Sequence, residues 1–296
     1  MLAHMTAVRS RCTACKRGQV ESGLCAFFQQ AALAIWQKTG FAREHNLKYS
    51  EETITETTFM DLHRAKLPGV RVHLYSRSEE SRVGADWEWY FGTPGSWMAA
   101  RVQAKRIDNR LDFYKKLNYT VPRTGRRQLD LLISQARNTH LPLVAFYNHW
   151  DWSPLYERLC RIDGDSRMKE QWGCSIGCAK RIRGYIEQRG PTHVSQVMPS
   201  CLPWQCLVCC ADVDTGLASV ATTVRTAFSQ LVRQDELPPM LREIPPYVPN
   251  LPLLGPSPQL TTDLTTREAR MVYFDDEPPP PEFNLAGAVV VEVPSG

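Results

Sequence analysis

The chain has 296 residues, of which 43% are hydrophobic and 22% are charged, and its formal net charge is +4. This composition is typical of a folded globular protein, so it excludes a wholly disordered chain. No apolar run reaches the roughly 20 residues that a bilayer-spanning helix needs, so we expect no membrane partner. The mild excess of positive charge permits a nucleic-acid partner without requiring one.

The chain begins with a basic segment, residues 1–23, whose first 20 residues contain no acidic residue. A transit peptide has such a composition, but we favour an unstructured start. Apolar residues at helical spacing then predict a core helix from residue 24 onward. A second helix is predicted to begin near Ser50 or Thr55 and to end before Pro68.

Three strands are predicted next, at residues 70–75, 85–91 and 97–105, because apolar and aromatic residues alternate there between short polar turns. A helix at 128–137 and a fully apolar strand at 141–147 follow. The order helix, three strands, helix, strand predicts an α/β domain over residues 24–150, with a small mixed sheet flanked by helices.

Two further regions are predicted after this domain. Residues 151–236 are interpreted as an α-rich extension that contains several cysteines, with helical patterns up to residue 188 and over 217–233. Residues 237–296 hold thirteen of the 21 prolines and are predicted to be a Pro-rich tail without a core of its own. We expect its last apolar segment, 286–293, to dock as an edge strand, and the tail to be a candidate contact for a protein partner.

The candidate site lies on two successive strands. Side chains two residues apart on a strand point to the same face, so Asp86 lies with Glu88, and Gln103 with Lys105. If the strands are antiparallel neighbours, these groups converge. The Asp86 carboxylate and the amide oxygen of Gln103 are then suitable ligands for Mg²⁺. The Lys105 ammonium would orient a water and stabilise a phosphate.

Other side chains are predicted to complete this site. A glutamate from the preceding helix would join the metal ligands, with Glu56 as the first choice and Glu52 as the second. Glu80 and Glu88 are held as fallbacks. Arg101 and Arg106 are predicted to contact the substrate backbone, because the guanidinium group matches phosphate geometry.

The segments GADWEW and VQAKR, in this order of elements, resemble the PD-(D/E)xK nuclease superfamily, and the Gln of the Gln-x-Lys pair resembles its Mrr-like branch. With QLDLLISQA and PLVAFYN, they also resemble an uncharacterised bacterial family. The resemblance implies a restriction endonuclease-like αβββαβ core that cleaves DNA with Mg²⁺, for which Mn²⁺ can substitute. It places Asp86, Gln103 and Lys105 at the catalytic positions, and it implies a homodimer and a role in restriction, defence or repair.

The sequence departs from the common superfamily pattern at two points. Gln103 removes one negative charge, which should weaken metal binding, and Gly84-Ala85 stands where a proline commonly precedes the aspartate. An alternative hypothesis is therefore a nuclease-fold module that has lost catalysis and binds nucleic acid or protein.

Ten cysteines without a secretory signal predict a reducing, cytoplasmic setting and mostly free thiols. A third hypothesis is a structural zinc protein. Its candidate ligands are the clustered cysteines, namely Cys201, Cys206, Cys209 and Cys210. We favour buried thiols over zinc, because the residues between Cys206 and Cys209 are apolar.

Overall fold

The computed structural model describes residues 23–65, 70–75, 85–93, 95–108, 112–122, 124–150, 169–189, 193–209, 220–244 and 286–292. The basic start up to residue 22 and most of the Pro-rich tail lie outside these residues. The described part is a mixed α/β structure, which confirms the α/β part of the predicted fold class, while the restriction endonuclease-like core stays a prediction. None of its helices is long and apolar enough to cross a lipid bilayer.

The strands are β1 (Val70–Tyr75), β2 (Trp87–Thr93), β3 (Ser96–Arg106), β4 (Thr120–Val121), β5 (Arg126–Arg127), β6 (Leu141–Tyr147), β7 (Cys174–Cys178), β8 (Cys201–Pro203) and β9 (Ala286–Glu292). The helices are α1 (Gly23–Glu44), α2 (Glu51–Arg64), α3 (Gln128–Ala136), α4 (Ala179–Arg189), α5 (Val194–Val197), α6 (Cys206–Cys209) and α7 (Val220–Leu231). Short 3₁₀ turns connect some of them, including one at Lys115–Asn118.

Seven strands form one mixed sheet in the order β1-β9-β2-β3-β6-β7-β8. Strands β2 and β3 are antiparallel, β6 runs parallel to β3, and β7 and β8 continue antiparallel from β6. Strands β4 and β5 pair separately as a small hairpin between β3 and α3. All seven side chains of β6 are buried, as its apolar sequence predicts for a central strand.

A helical layer covers each face of the sheet. The first core cluster lies between one face and helices α1, α2, α6 and α7, and it contains Trp87, Trp89 and Phe228. The second lies between the other face and helices α3, α4 and α5, and it contains Leu132 and Phe146. Strand β3 sends Val102 and Ala104 into the first core, so its alternate residues face the second layer.

Two of the predicted boundaries are corrected by the pairing of the strands. Strands β7 and β8 extend the same sheet from β6, so residues 151–236 are not a separate α-rich extension. Strand β9 is not an edge strand, because it pairs with β1 on one side and with β2 on the other.

Candidate functional site

The start of β2 and the adjacent part of β3 bring the predicted site residues together. Strand β2 begins at Trp87, which lies opposite Val102, and Asp86 precedes the strand. The Asp86 N–H donates to the Val102 carbonyl at 2.8 Å, and Ala85 packs in the second core whereas Trp87 packs in the first, so the alternation of side chains breaks at Asp86. On β3, Gln103 and Lys105 lie two residues apart and share a face. Asp86 is therefore brought to these residues by its own hydrogen bonds to β3 and not by the alternation that predicted its position.

The Asp86 carboxylate is held against the adjacent strand. Its Oδ2 atom accepts a hydrogen bond from the Ala104 N–H. Asp86 is half-buried, whereas Gln103 is fully buried in the second strand. The backbone bond fixes the position of the carboxylate before any ligand arrives, which is the preorganisation that a metal or substrate site requires.

The Lys105 ammonium is enclosed by polar partners. The residue is only 3% exposed. Its Nζ donates to Oε1 of Gln128 at 3.0 Å, and it lies 4.0 Å from Oε2 of Glu51. A buried ammonium needs such partners to offset its lost hydration. Helix α3, which begins with Gln128, and helix α2, which begins with Glu51, thus meet at this side chain.

Helix α2 presents Glu51 to Lys105, whereas the role of the expected Glu56 stays a prediction. Besides its approach to Lys105, Glu51 accepts a hydrogen bond from the Arg106 N–H through Oε1 at 3.2 Å. Glu56 lies five residues further along, which is roughly 140° around a helix of 3.6 residues per turn. The buried residues Ile54 and Thr55 mark the inner face of the helix.

Glu52, the second choice, is near the site although it is exposed. Burial tends to raise its pKa. Hydrogen bonds from its own backbone N–H and from Ser50, with the charges of Lys116 and Lys105, outweigh that effect, and the pKa is lowered below its ordinary value. Glu52 therefore adds negative charge close to Lys105 without being enclosed with it.

A buried tyrosine at the end of β6 lies near the two carboxylates. The Tyr147 hydroxyl forms a hydrogen bond with the Thr55 hydroxyl at 2.8 Å. Burial raises the pKa of Tyr147 well above its ordinary value, and the charges of Asp86 and Glu51 raise it further. Both carboxylates are thus near the same hydroxyl group, at the end of the sheet where α2 begins.

The oxygen donors present at this end are of the kind that Mg²⁺ prefers. The carboxylates of Asp86 and Glu51 and the side-chain amide of Gln103 are hard ligands, and Mg²⁺ commonly keeps several waters in addition. Within the described ranges, no group of three or more His, Cys, Asp or Glu side chains forms a metal cluster. The donor chemistry fits a divalent cation, with less negative charge than three acids would supply.

Arg101 is engaged with protein groups in the structure, and its contact with a substrate stays a prediction. Its Nε atom donates to Oε1 of Glu88 at 2.5 Å, and its guanidinium also donates to the Gln135 carbonyl. Glu88 is fully buried and also accepts from the Tyr90 hydroxyl. These bonds occupy the Glu88 carboxylate, and its role as a fallback ligand stays a prediction. The fallback Glu80 lies outside the described residues.

Arg106 remains beside the site. Burial of its guanidinium lowers its pKa, although the nearby carboxylates of Glu51 and Asp108 oppose this change. The side chain is half-buried at the end of β3. Its contact with a substrate stays a prediction.

The candidate zinc ligands do not form a site in the described part of the chain. Cys209 forms a disulfide with Cys25, which corrects the expectation of a free thiol at both positions. Cys201 and Cys206 lie in the two different core clusters, on opposite faces of the sheet. Cys210 lies outside the described residues. Burial raises the pKa of the Cys201 thiol well above its ordinary value, as expected for an inert buried cysteine.

Sequence reasoning missed Glu51 and Gln128. Glu51 has a recognisable signal, because it is an acidic residue in the first turn of a predicted helix that precedes the site strands. Gln128 has none, because an amide at the start of a helix has many ordinary roles. Its contact with Lys105 depends on the packing of α3 across the sheet.

The sequence profile of a family of unknown function, DUF6615, matches residues 24–280, and the chain therefore belongs to that family. No curated protein and no solved structure gives a significant match to the chain.

Proposed function

We propose that this chain is a metal-dependent nuclease that hydrolyses phosphodiester bonds in DNA, built on a restriction endonuclease-like core. The observation that carries the proposal is the approach of the Asp86 carboxylate to the part of β3 that contains Gln103 and Lys105, with Glu51 at 4.0 Å from Lys105. The order α2, β1, β2, β3, α3, β6 agrees with the αβββαβ order of the PD-(D/E)xK superfamily.

The oxygen donors would hold the metal. Asp86 and Glu51 would contribute carboxylates, and Gln103 would contribute its amide oxygen. A bound Mg²⁺, or Mn²⁺ in its place, supplies a more acidic water and neutralises charge on the phosphate. The charges of these residues are compatible with that function, because two carboxylates partly balance a divalent cation beside the Lys105 ammonium.

Lys105 would act on the reacting groups. In hydrolysis, a water oxygen forms a bond to phosphorus while one phosphorus–oxygen ester bond breaks, and negative charge grows on the phosphate oxygens. An ammonium next to these atoms orients the water and stabilises that charge. Gln128 is a positioning residue in this scheme, because its hydrogen bond restrains the Nζ atom of Lys105.

A second candidate function is a nuclease-fold module that binds nucleic acid or protein without cleaving it. The neutral Gln103 favours this alternative, as does the 3% exposure of Lys105, whose ammonium is already engaged. This module would bind its partner equally well after loss of Lys105.

The proposal is tested by cleavage of plasmid DNA with Mg²⁺ or Mn²⁺ by the wild type and by Asp86→Asn. The substitution keeps the size of the side chain but removes its charge, so we expect a loss of at least about 100-fold in rate. Asp61→Asn is the matched control, because Asp61 is an exposed aspartate of α2. Equal metal-dependent rates in all three folded proteins would refute the assignment of the site.

A further inference from the structure

A short basic segment lies between β3 and α3. We call residues 115–127 the basic hairpin; it comprises the 3₁₀ turn Lys115–Asn118 followed by the paired strands β4 and β5. Its sequence contains five cationic residues and no acidic one, namely Lys115, Lys116, Arg123, Arg126 and Arg127. A charge run of this kind is often only a solvated surface, so its position relative to the site decides whether it has a function.

The basic hairpin is attached directly to the candidate site. Gln128 follows its last residue, and the Gln128 N–H donates to the Tyr119 carbonyl at 2.9 Å. The side chain of the same Gln128 accepts from Lys105 at 3.0 Å. At the other end, the charge of Lys116 contributes to the lowered pKa of Glu52. A phosphate at Lys105 would therefore lie next to the base of the hairpin.

Two of its cations are available to a ligand. Lys116 and Arg126 are exposed, and no carboxylate of the described residues lies within ion-pair distance of either. Arg126 donates to the Ser134 hydroxyl at 3.2 Å, which leaves its charge unneutralised. By contrast, Arg127 forms ion pairs with Asp130 and Glu187.

The chemistry of the basic hairpin fits the backbone of a duplex. Proteins that neutralise backbone phosphates with Lys and Arg derive much of their affinity from the release of counterions. Binding of single strands relies in addition on several aromatic side chains that stack on bases. Tyr119, at 47% exposure, is the sole exposed aromatic residue among the described residues of the hairpin.

We infer that the basic hairpin clamps the phosphate backbone of double-stranded DNA and so positions the scissile phosphate at Lys105. This inference rests on the proposed nuclease function and specifies its substrate class. It assigns the main backbone contacts to Lys116 and Arg126, in place of the predicted Arg101, which is paired with Glu88.

The test measures binding separately from cleavage. Fluorescence anisotropy of a labelled DNA duplex, in EDTA and over a series of salt concentrations, compares the full chain with Lys116→Ala/Arg126→Ala. We expect about tenfold weaker binding and a slope of log K against log salt that is smaller by about two. The control is Lys38→Ala/Arg64→Ala, which removes the same charge from exposed residues of α1 and α2 and should change affinity by less than about twofold.

Each other outcome overturns the clamp. Equal affinity of the hairpin variant and the wild type for the duplex would overturn it. The nuclease proposal would still stand in that case if the wild type cleaves DNA in the presence of metal. Tighter, hairpin-dependent binding of a single strand of the same length would overturn the duplex assignment. If the folded wild type binds neither DNA, the clamp is overturned, and the Asp86→Asn comparison then decides the nuclease proposal by itself.

Discussion

At the scale of single residues, the neutral side chain of Gln103 sets the charge of the candidate site. It is fully buried on β3 next to Ala104, whose N–H binds the Asp86 carboxylate, so an acid in its place would bring a second carboxylate to the site. The site therefore depends on Glu51, across the end of β3, for additional negative charge. This arrangement predicts weak binding of the divalent cation.

Gln103→Glu would restore the missing charge. We expect the Mg²⁺ concentration for half-maximal cleavage to fall several-fold, because each added carboxylate strengthens a site for a hard cation. A Mg²⁺ titration of the cleavage rate measures this effect, with melting curves of both proteins as the control for folding. An unchanged or raised requirement for Mg²⁺ would argue against Gln103 as a ligand.

The buried group around Glu88 predicts a pH dependence of stability. His140 lies 3.9 Å from Glu88, and burial lowers the pKa of His140 to about 4 despite the opposing charge of Glu88. An unfolded histidine titrates near pH 6.5. As the pH falls from about 6.5 to about 4, the unfolded chain binds a proton that the native chain does not, so stability should fall by about 3 kcal/mol across that window.

Urea unfolding at pH 7.5, 6 and 5 measures the part of this loss that occurs above pH 5, which is about 2 kcal/mol. His140→Gln removes the titrating group, so its stability should change less with pH than that of the wild type. The lowered pKa of Glu88 acts in a separate window, because stability from a depressed carboxyl is lost only as the pH falls below about 4.5. Parallel pH profiles for the two proteins would contradict the role of His140.

Alternation along β3 was enough to predict that Gln103 and Lys105 share a face, whereas Asp86 precedes β2 and reaches β3 through its own hydrogen bonds. Alternation also placed Arg101 and Glu88 on that face, but their mutual pairing depends on the register of β2 and β3, which the sequence does not specify. The choice between Glu51 and Glu56 depends on which side of α2 faces the sheet. Because α2 has several acidic residues close together, the sequence does not determine which of them faces the sheet.

At the scale of elements, the contact between α1 and β7 depends on a glycine. A Cβ atom on Gly173, just before β7, would lie 1.9 Å from the carbonyl oxygen of Ala32 in α1. This distance involves backbone atoms, so no side-chain rotation relieves it. Gly173 therefore permits the close approach that holds α1 against the extended sheet.

Gly173→Ala should destabilise the protein by about 1–3 kcal/mol, the usual range for overpacking. Gly184→Ala is the matched control, since a Cβ atom there meets nothing within 4 Å and the residue lies in α4. That change should be neutral or stabilising by up to about 1 kcal/mol, because alanine favours helices. Thermal melting distinguishes them, and equal midpoints would refute the tight packing at Gly173.

The elements with strong periodicity were predicted well, and those with short or mixed patterns were not. Strands β1 and β6 have the predicted bounds, and α3 ends one residue before its predicted end. Strand β7 was missed, because its sequence CSIGC is short and contains few residues that favour strands. The insertion of β9 between β1 and β2 requires pairing over 200 residues or more, which local patterns do not encode.

At the scale of the whole molecule, a disulfide connects the beginning of the described chain to its later part. Cys25 of α1 and Cys209 of α6 are 184 residues apart in sequence. Disulfides are not typical of the reducing cytoplasm, so the cytoplasmic location stays a prediction. The bond ties α1 to a segment beyond the predicted core, in agreement with a family match that extends to residue 280.

Loss of this bond should destabilise the protein by about 2–5 kcal/mol, because a long loop in the unfolded chain is no longer closed. Cys25→Ser/Cys209→Ser should have a lower midpoint in urea than the oxidised wild type. Added reductant should bring the wild type close to the variant and leave the variant unchanged. A wild type that does not respond to reductant would contradict a stabilising disulfide.

The sheet carries the candidate site, so the central claim concerns chemistry at one end of β3. The most direct measurement is the rate of plasmid cleavage over a series of Mg²⁺ concentrations by the wild type, by Lys105→Met and by the control Lys38→Met. We expect cleavage by the wild type and the control, and a rate lower by at least about 100-fold in folded Lys105→Met. Equal cleavage by Lys105→Met and the wild type would contradict the account.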